Sequence, residues 1–469
     1  MKLHFAQNVN MAGSSMQFFC EICQKLRSMT GRRVEEHFNL ERTTVSTIFY
    51  VFGVAIVCVV SWISVNLRSI TRLSTDTAPH EMLTFGERSL RFAAVPNPKP
   101  VSTETEAILL SGEAAAALHM ALKMNEEGKS GKALKLFQQA MKLSPNNPDV
   151  LNSYGEFLEH EKLVEAENLY TRALINDPSH GRALANRQRT FPKVQKLDQD
   201  MLARIDNKRY RLYNIPEENA ALQRAMKEAY YQHIHHTTAI EGNTMTLSMA
   251  RAVVETKMAI HGKSILEHNE ILGLDEALKY INTTLVQEKC SITVKNVIEI
   301  HRRVLGHAHP LEAGQFRNTQ VFVGNHVPPH PTDVERFMNE FDSWLSSPTI
   351  RNLHPIEFAA LAHYRLVYIH PFTDGNGRTA RLLMNLILMR AGFPPVTIQV
   401  SERHNYYECL QDANRGDVRP FIRFVAKCAE RTLDEYLSAT TIYPVKHYTS
   451  RGLDYTNHLK RLDTLTLTK

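Results

Sequence analysis

The sequence predicts an all-α protein, interrupted only by one short β-hairpin flap. Three observations predict it. An apolar run at 48–65 holds no charged residue, a set of small and aromatic residues recurs after 33 positions, and from about Ile215 onward long amphipathic stretches alternate with short breakers. The composition agrees with a folded chain: among 469 residues, 43% are hydrophobic and 22% charged, which excludes disorder as the dominant state. Fifty-five Lys and Arg against 49 Asp and Glu leave a net charge of +6, too small and dispersed for a nucleic-acid footprint. Six cysteines exclude a disulfide scaffold, and Cys20 with Cys23, although spaced C-x-x-C, lack the second ligand pair of a zinc site.

The first element is the run 48–65, long enough to cross a hydrocarbon core of roughly 30 Å. A cleaved signal peptide fits poorly, because the stretch begins too deep, runs too long and has no small-residue cleavage pattern behind it. Lys25, Arg27, Arg32, Arg33 and Arg42 precede it, against Arg68 and Arg72 behind it. That bias places the segment 1–47 in the cytosol, making 48–65 a single-pass type II anchor with the remainder in the secretory lumen. Under this topology the sequon at Asn282 becomes usable for glycosylation. Residues 66–105, with Pro79, Pro96, Pro98 and Pro100, read as a stalk.

A repeat region follows at 106–180. Ala133, Phe137, Ala140 and Pro145 recur as Ala166, Tyr170, Ala173 and Pro178 with the same internal spacings. These are the packing positions and terminating proline in the second helix of a tetratricopeptide repeat, a module that usually docks proteins. Tyr154, Gly155 and Leu158 supply the first helix of the second copy, whereas the first copy has Ala121 where Gly is expected. Two repeats do not bury a solenoid core alone, so 181–213 is assigned as a capping and linker helix.

Residues 214–438 form the last domain, with a core at 292–427, and 439–469 a C-terminal tail. The stretches 356–369 and 379–391 read as buried helices. Between them, Gly375, Asn376 and Gly377 allow a tight backbone whose N–H groups converge on an anion at an electropositive helix start. Arg378 and Arg381, at i and i+3, can both reach phosphate oxygens. Asp374 is a hard oxygen ligand for Mg²⁺, and His370, substantially neutral at pH 7, can accept a proton from an attacking hydroxyl. Base, metal ligand, anion cradle and cationic clamp together specify attack on a nucleotide phosphorus. Gly-Lys-Ser at 128–130 and 262–264 lacks the earlier glycine of a Walker loop, since Lys123 and Lys257 stand there.

Residues 370–381 match the motif H-x-F-x-D/E-G-N-G-R-x-x-R without departure, and the chain thereby resembles Fic-domain proteins. With anchor and paired repeats it is similar to the endoplasmic-reticulum branch of animal Fic protein adenylyltransferases. The resemblance implies that His370 deprotonates a Ser, Thr or Tyr hydroxyl of a target protein, which attacks the α-phosphorus of ATP and releases pyrophosphate. It implies that Asp374 holds Mg²⁺ or Mn²⁺. The nucleotide site it implies comprises Asp374, Gly375, Asn376, Gly377, Arg378, Thr379, Ala380 and Arg381, with Arg381 on the γ-phosphate. Val323, Gly324, Asn325 and His326 of a flap over target and nucleotide belong to it too, as do Tyr406, Tyr407 and Asn414 at the nucleoside. Tyrosines on a helix are more often packing residues, and His233, His235 and His236 read as a solvated or packed helical surface rather than a metal site.

The family's inhibitory pattern S/T-x-x-x-E-G/N fits residues 237–242, at the end of a helix expected over 226–241. Capping explains Gly242 but not a carboxylate at the negative end of a helix dipole. The resemblance implies that Glu241 pairs with Arg381 where the γ-phosphate must sit, and that it also positions water for removal of AMP. It further implies the lumenal chaperone BiP as target, a homodimer through the Fic domain, and residence in the endoplasmic-reticulum membrane. The competing readings are a repeat scaffold with a silent Fic fold, and transfer of another phosphate-containing moiety.

Overall fold

The computed structural model describes residues 112–441 except 289 and 349. The segment 1–47, the anchor run 48–65, the stalk and nearly all of the tail lie outside the described residues, among which no helix is long and apolar enough to cross a membrane. The described chain is helical throughout, as the sequence predicts.

Two helical hairpins come first: α1 (Gly112–Glu126) with α2 (Ser130–Leu143), and α3 (Pro148–Leu158) with α4 (Leu163–Asn176). Asn147 starts α3 by accepting the N–H groups of Asp149 and Val150 at 3.0 and 3.1 Å, and Pro148 occupies the first turn, where a missing donor costs nothing. Ala133, Phe137, Ala140, Ala166, Tyr170 and Ala173, the repeated positions, are all fully buried. Gly155 is required by packing, since a Cβ there would lie 2.5 Å from the Tyr170 ring. Each hairpin has its own apolar cluster, and Met141, Tyr154 and Phe157 pack against both.

Helix α5 (Gly181–Tyr213) is 33 residues long, about 50 Å at 1.5 Å per residue. Its Ala183 completes the second hairpin cluster, while Leu202 and Ile205 enter the large C-terminal core, so one helix serves two cores. That core gathers α6 (Ala220–Ile240), α7 (Leu247–Thr256), α8 (Ile265–Tyr280), α9 (Val294–Gly306), α10 (Pro331–Leu345), α11 (Pro355–Ile369), α12 (Asn376–Arg390), α13 (Arg403–Asn414) and α14 (Arg419–Thr441). Helix α6 begins ahead of residue 226 because Asn219 caps it, accepting from the N–H groups of Ala221 and Leu222 at 2.9 and 3.1 Å. Ile234 and Ile240 fix it in the core.

Buried ion pairs join the second hairpin and α5 to the C-terminal core. Arg419 donates to Glu167 of α4 at 2.8 Å and to Asp417 at 2.7 Å, all three residues at most 1% exposed; Arg423 holds Asp198 of α5 through two bonds at 2.8 and 2.7 Å. Removing one member of such a cluster leaves uncompensated buried charge. Arg419→Ala should therefore destabilise by about 3–5 kcal/mol, whereas Arg204→Ala, which breaks a more exposed pair with Glu430, should cost at most about 1 kcal/mol. Urea unfolding of both variants checks the ordering, and equal midpoints contradict it.

The hairpin expected around Gln320 contracts to a single antiparallel bridge. Val323 and His326 exchange N–H···O bonds of 3.0 Å around Gly324, whose φ of +57° suits a residue without Cβ. Pro328 and Pro329 have no N–H with which to extend the ladder, and no further strand forms among the described residues.

Candidate active site

The segment joining α11 to α12 carries the site. His370 ends α11 with φ +50°, a left-handed conformation that is costly for a residue with a Cβ, and its N–H donates to Leu366 O at 2.9 Å. Its Nδ1 lies 3.2 Å from Val367 O, the contact of a protonated nitrogen, which leaves Nε2 with a free lone pair. Burial holds the His370 imidazolium below its ordinary range; the charges of Arg317 and His326 add to this, while Val367 O and Glu241 oppose it. A base works only when neutral, so a depressed pKa extends activity toward acid. The acid limb of the AMP-transfer rate should fall below pH ~6.5, the ordinary imidazole value; a limb near neutrality contradicts a buried His370 base.

Gly375, at φ +76°, turns the chain into α12. Beneath it His301 of α9 accepts the Gly314 N–H on Nδ1 at 2.9 Å and donates from Nε2 to Asp374 O at 2.9 Å, with its ring 3.6 Å from the parallel ring of Phe372. Burial pushes His301 down to about 4, so it is a neutral brace at pH 7. Asn376 braces the loop too: its amide spans Phe372, donating to O at 2.8 Å and accepting from N–H at 3.0 Å. Its side chain is thus spent on shaping the cradle. Thr379 and Ala380 are fully buried in α12.

Glu241 caps α6 directly over this cradle. Arg381, 2% exposed, donates from Nη2 to Glu241 Oε1 at 2.6 Å and to Thr237 O at 2.9 Å. A Cβ on Gly377 would collide with Glu241 Oε1 and lie 3.1 Å from Arg381 Nη1, so glycine at 377 is what admits the carboxylate. The Nε of Arg381 is buried without a partner. Arg378 goes elsewhere: its Nη2 donates to Asp374 Oδ2 at 2.7 Å and its Nη1 to Glu270 of α8 at 3.2 Å. The two arginines, although one turn apart, serve different carboxylates here.

Burial raises the Asp374 carboxyl, but Arg378 and the Gly375 N–H outweigh it and hold the group below the ordinary carboxylate range. It is an ionised hard ligand with its side chain 53% exposed, a donor that fits Mg²⁺. Among the described residues no three His, Cys, Asp or Glu converge on one ion, so a metal at Asp374 would take its other ligands from phosphate and water.

Val323, Gly324 and Asn325 are exposed on the flap, and His326 folds inward with Nε2 2.9 Å from Tyr368 O. Tyr406 is 1% exposed, its hydroxyl 3.0 Å from His363 Nε2 and 3.5 Å from Arg381 Nη1, so it buttresses the clamp. Tyr407 and Asn414 are half-buried on α13. Asn282 sits half-buried in a π-helical turn that continues α8. Of the α6 histidines, His233 is packed at 2% exposure and pushed to about 4, chiefly by burial. His301, Glu270, His363 and Arg317 escaped sequence reasoning, since each is an isolated polar residue far along the chain from the motif.

An imidazole with its Nε2 lone pair free, a glycine-turned helix start, an ionised carboxylate and a buried arginine held by Glu241 together form a candidate phosphate-handling site in an all-α enzyme fold. A family model described as Fic/DOC family matches residues 291–388. The protein adenylyltransferase Fic of Nematostella vectensis is 66% identical over 344 residues, covering 73% of this chain and 81% of that one. That of Aedes aegypti is 57% identical over 331 residues, 70% of this chain and 66% of its own. The solved structure of Fic-1 (aa134 - 508) from C. elegans is 43% identical with a TM-score of 0.63, over 70% of this chain and 98% of that chain. The chain belongs to the Fic/DOC family, among its protein AMP transferases.

Proposed function

We propose that this chain transfers AMP from ATP to a Ser, Thr or Tyr hydroxyl of a lumenal protein, removes it again, and is switched by Glu241. The observation that carries the switch is the 2.6 Å bond from Arg381 to Glu241 above Gly377. Two anions do not readily share one desolvated guanidinium, so carboxylate and γ-phosphate compete for it.

In the forward direction the target hydroxyl gives its proton to His370 Nε2 as its oxygen bonds to the α-phosphorus, and the bond to the departing pyrophosphate breaks. Backbone N–H groups at the start of α12 hold phosphate oxygens, and Arg381 holds the γ-phosphate once Glu241 has withdrawn. Mg²⁺ or Mn²⁺ on Asp374 would neutralise phosphate charge. In reverse, Glu241 orients a water and takes its proton as the water oxygen bonds to the phosphorus; the bond to the target oxygen breaks, that oxygen takes the proton held on His370, and AMP leaves. The target proposed from the family resemblance is the chaperone BiP, presented by the repeats behind an endoplasmic-reticulum anchor at 48–65, with Asn282 carrying a glycan. A homodimer through the Fic domain is supported by Met258, Ile265 and Leu266, which leave apolar side chains 69%, 77% and 46% exposed.

Full-length protein in detergent, given α-labelled ATP, Mg²⁺ and a lumenal lysate, should label BiP with a mass gain of one AMP. Label on no protein, or a different added mass, overturns this reading.

A further inference from the structure

Arg317 is 3% exposed, yet among the described residues no carboxylate lies within ion-pair distance of it. Burying a guanidinium without a counter-ion carries a desolvation penalty that only its hydrogen bonds can offset, so its donors must be needed where they are. Its Nε donates to His370 O at 2.7 Å, its Nη1 to Thr319 O at 2.9 Å and its Nη2 to Pro329 O at 2.5 Å, while its own backbone N–H donates to Pro371 O at 2.9 Å. Thr319 and Pro329 are the two feet of the flap. The third acceptor is the carbonyl of the residue held in left-handed conformation.

We propose that Arg317 is a positioning residue that locks His370 and both feet of the flap into one unit, so that a target laid on the flap is already in register with the proton acceptor. The inference rests on His370 being the base. Only a planar fork reaches three diverging carbonyls; an ammonium at this place satisfies one or two. The guanidinium charge also faces the imidazole, together with His326 from the flap and Glu241 from the end of α6. Removing that cation raises the pH at which His370 protonates, and the rate then falls off at higher pH.

The test uses the full chain in the Glu241→Gly background, with Arg317→Met and Arg317→Lys measured for kcat, target KM, nucleotide affinity and pH profile. Arg317→Met should keep nucleotide affinity, lose roughly 10- to 100-fold in kcat as misplacement of a base does, and move the acid limb to higher pH. Arg317→Lys should restore the acid limb but not the target KM, which rises because a flap foot is released. Parental kcat, limb and target KM in Arg317→Met overturn the proposal, as does a loss matched by nucleotide affinity and melting temperature. Should Arg317→Met fail to fold, a parental target KM in Arg317→Lys overturns it. If His370→Ala in the same background transfers AMP as well as its parent, the assignment of His370 falls and takes this inference with it; a His370-dependent parent with parent-like Arg317 variants refutes the inference alone.

Discussion

Replacing Glu241 with glycine is expected to raise AMP transfer roughly 10- to 100-fold, because a charge-assisted hydrogen bond worth about 1.5–3 kcal/mol no longer competes with the γ-phosphate. The carboxylate sits on Arg381 at 2.6 Å and over Gly377, so its removal clears clamp and cradle together. Little else is disturbed: Glu241 follows the last turn of α6, and the helix stays anchored through Ile234 and Ile240. The same variant should lose removal of AMP, since the group proposed to orient water is gone. Labelled incorporation and release, measured on one preparation, check both arms. Unchanged transfer means that the ion pair is structural.

The second large effect is the loss at His370. His370→Ala in the Glu241→Gly background should lower transfer by about 10²- to 10⁴-fold, the range of a positioned general base. Nucleotide affinity should persist, because the imidazole faces the hydroxyl and not the phosphates. Transfer that survives this substitution makes the domain a scaffold or assigns the proton to another acceptor.

Much of this was legible in the sequence, for physical reasons that differ by region. The two N-terminal helical hairpins are readable because Ala133, Ala140, Ala166 and Ala173 are fully buried, and that demand leaves strict spacing. The loop 370–381 is readable as a family motif because its residues are contiguous in sequence, and the family model spans it up to residue 388. What surrounds it is not. Arg317, His301 and Glu270 reach the loop from separate segments, and an isolated polar residue on an amphipathic stretch carries no local signature of its three-dimensional partner. Spacing alone places Arg378 beside Arg381 on phosphate, yet Glu270, over a hundred positions away, holds it in this conformation. The flap shows the opposite case: the alternation at 320–324 suggests a strand, but Pro328 and Pro329 cannot donate to a ladder, and only one bridge forms. The start of α6 depends on one cap, Asn219, which apolar periodicity does not register.

The most direct test of the central claim is a crystal structure of the Glu241→Gly protein with magnesium and a non-hydrolysable ATP analogue. The account predicts the γ-phosphate on Arg381, the cradle of Gly375, Asn376 and Gly377 around the phosphates, and the α-phosphorus open to a hydroxyl beside His370 Nε2. A nucleotide bound elsewhere, or a cradle still closed with Arg381 turned to another protein group, contradicts it.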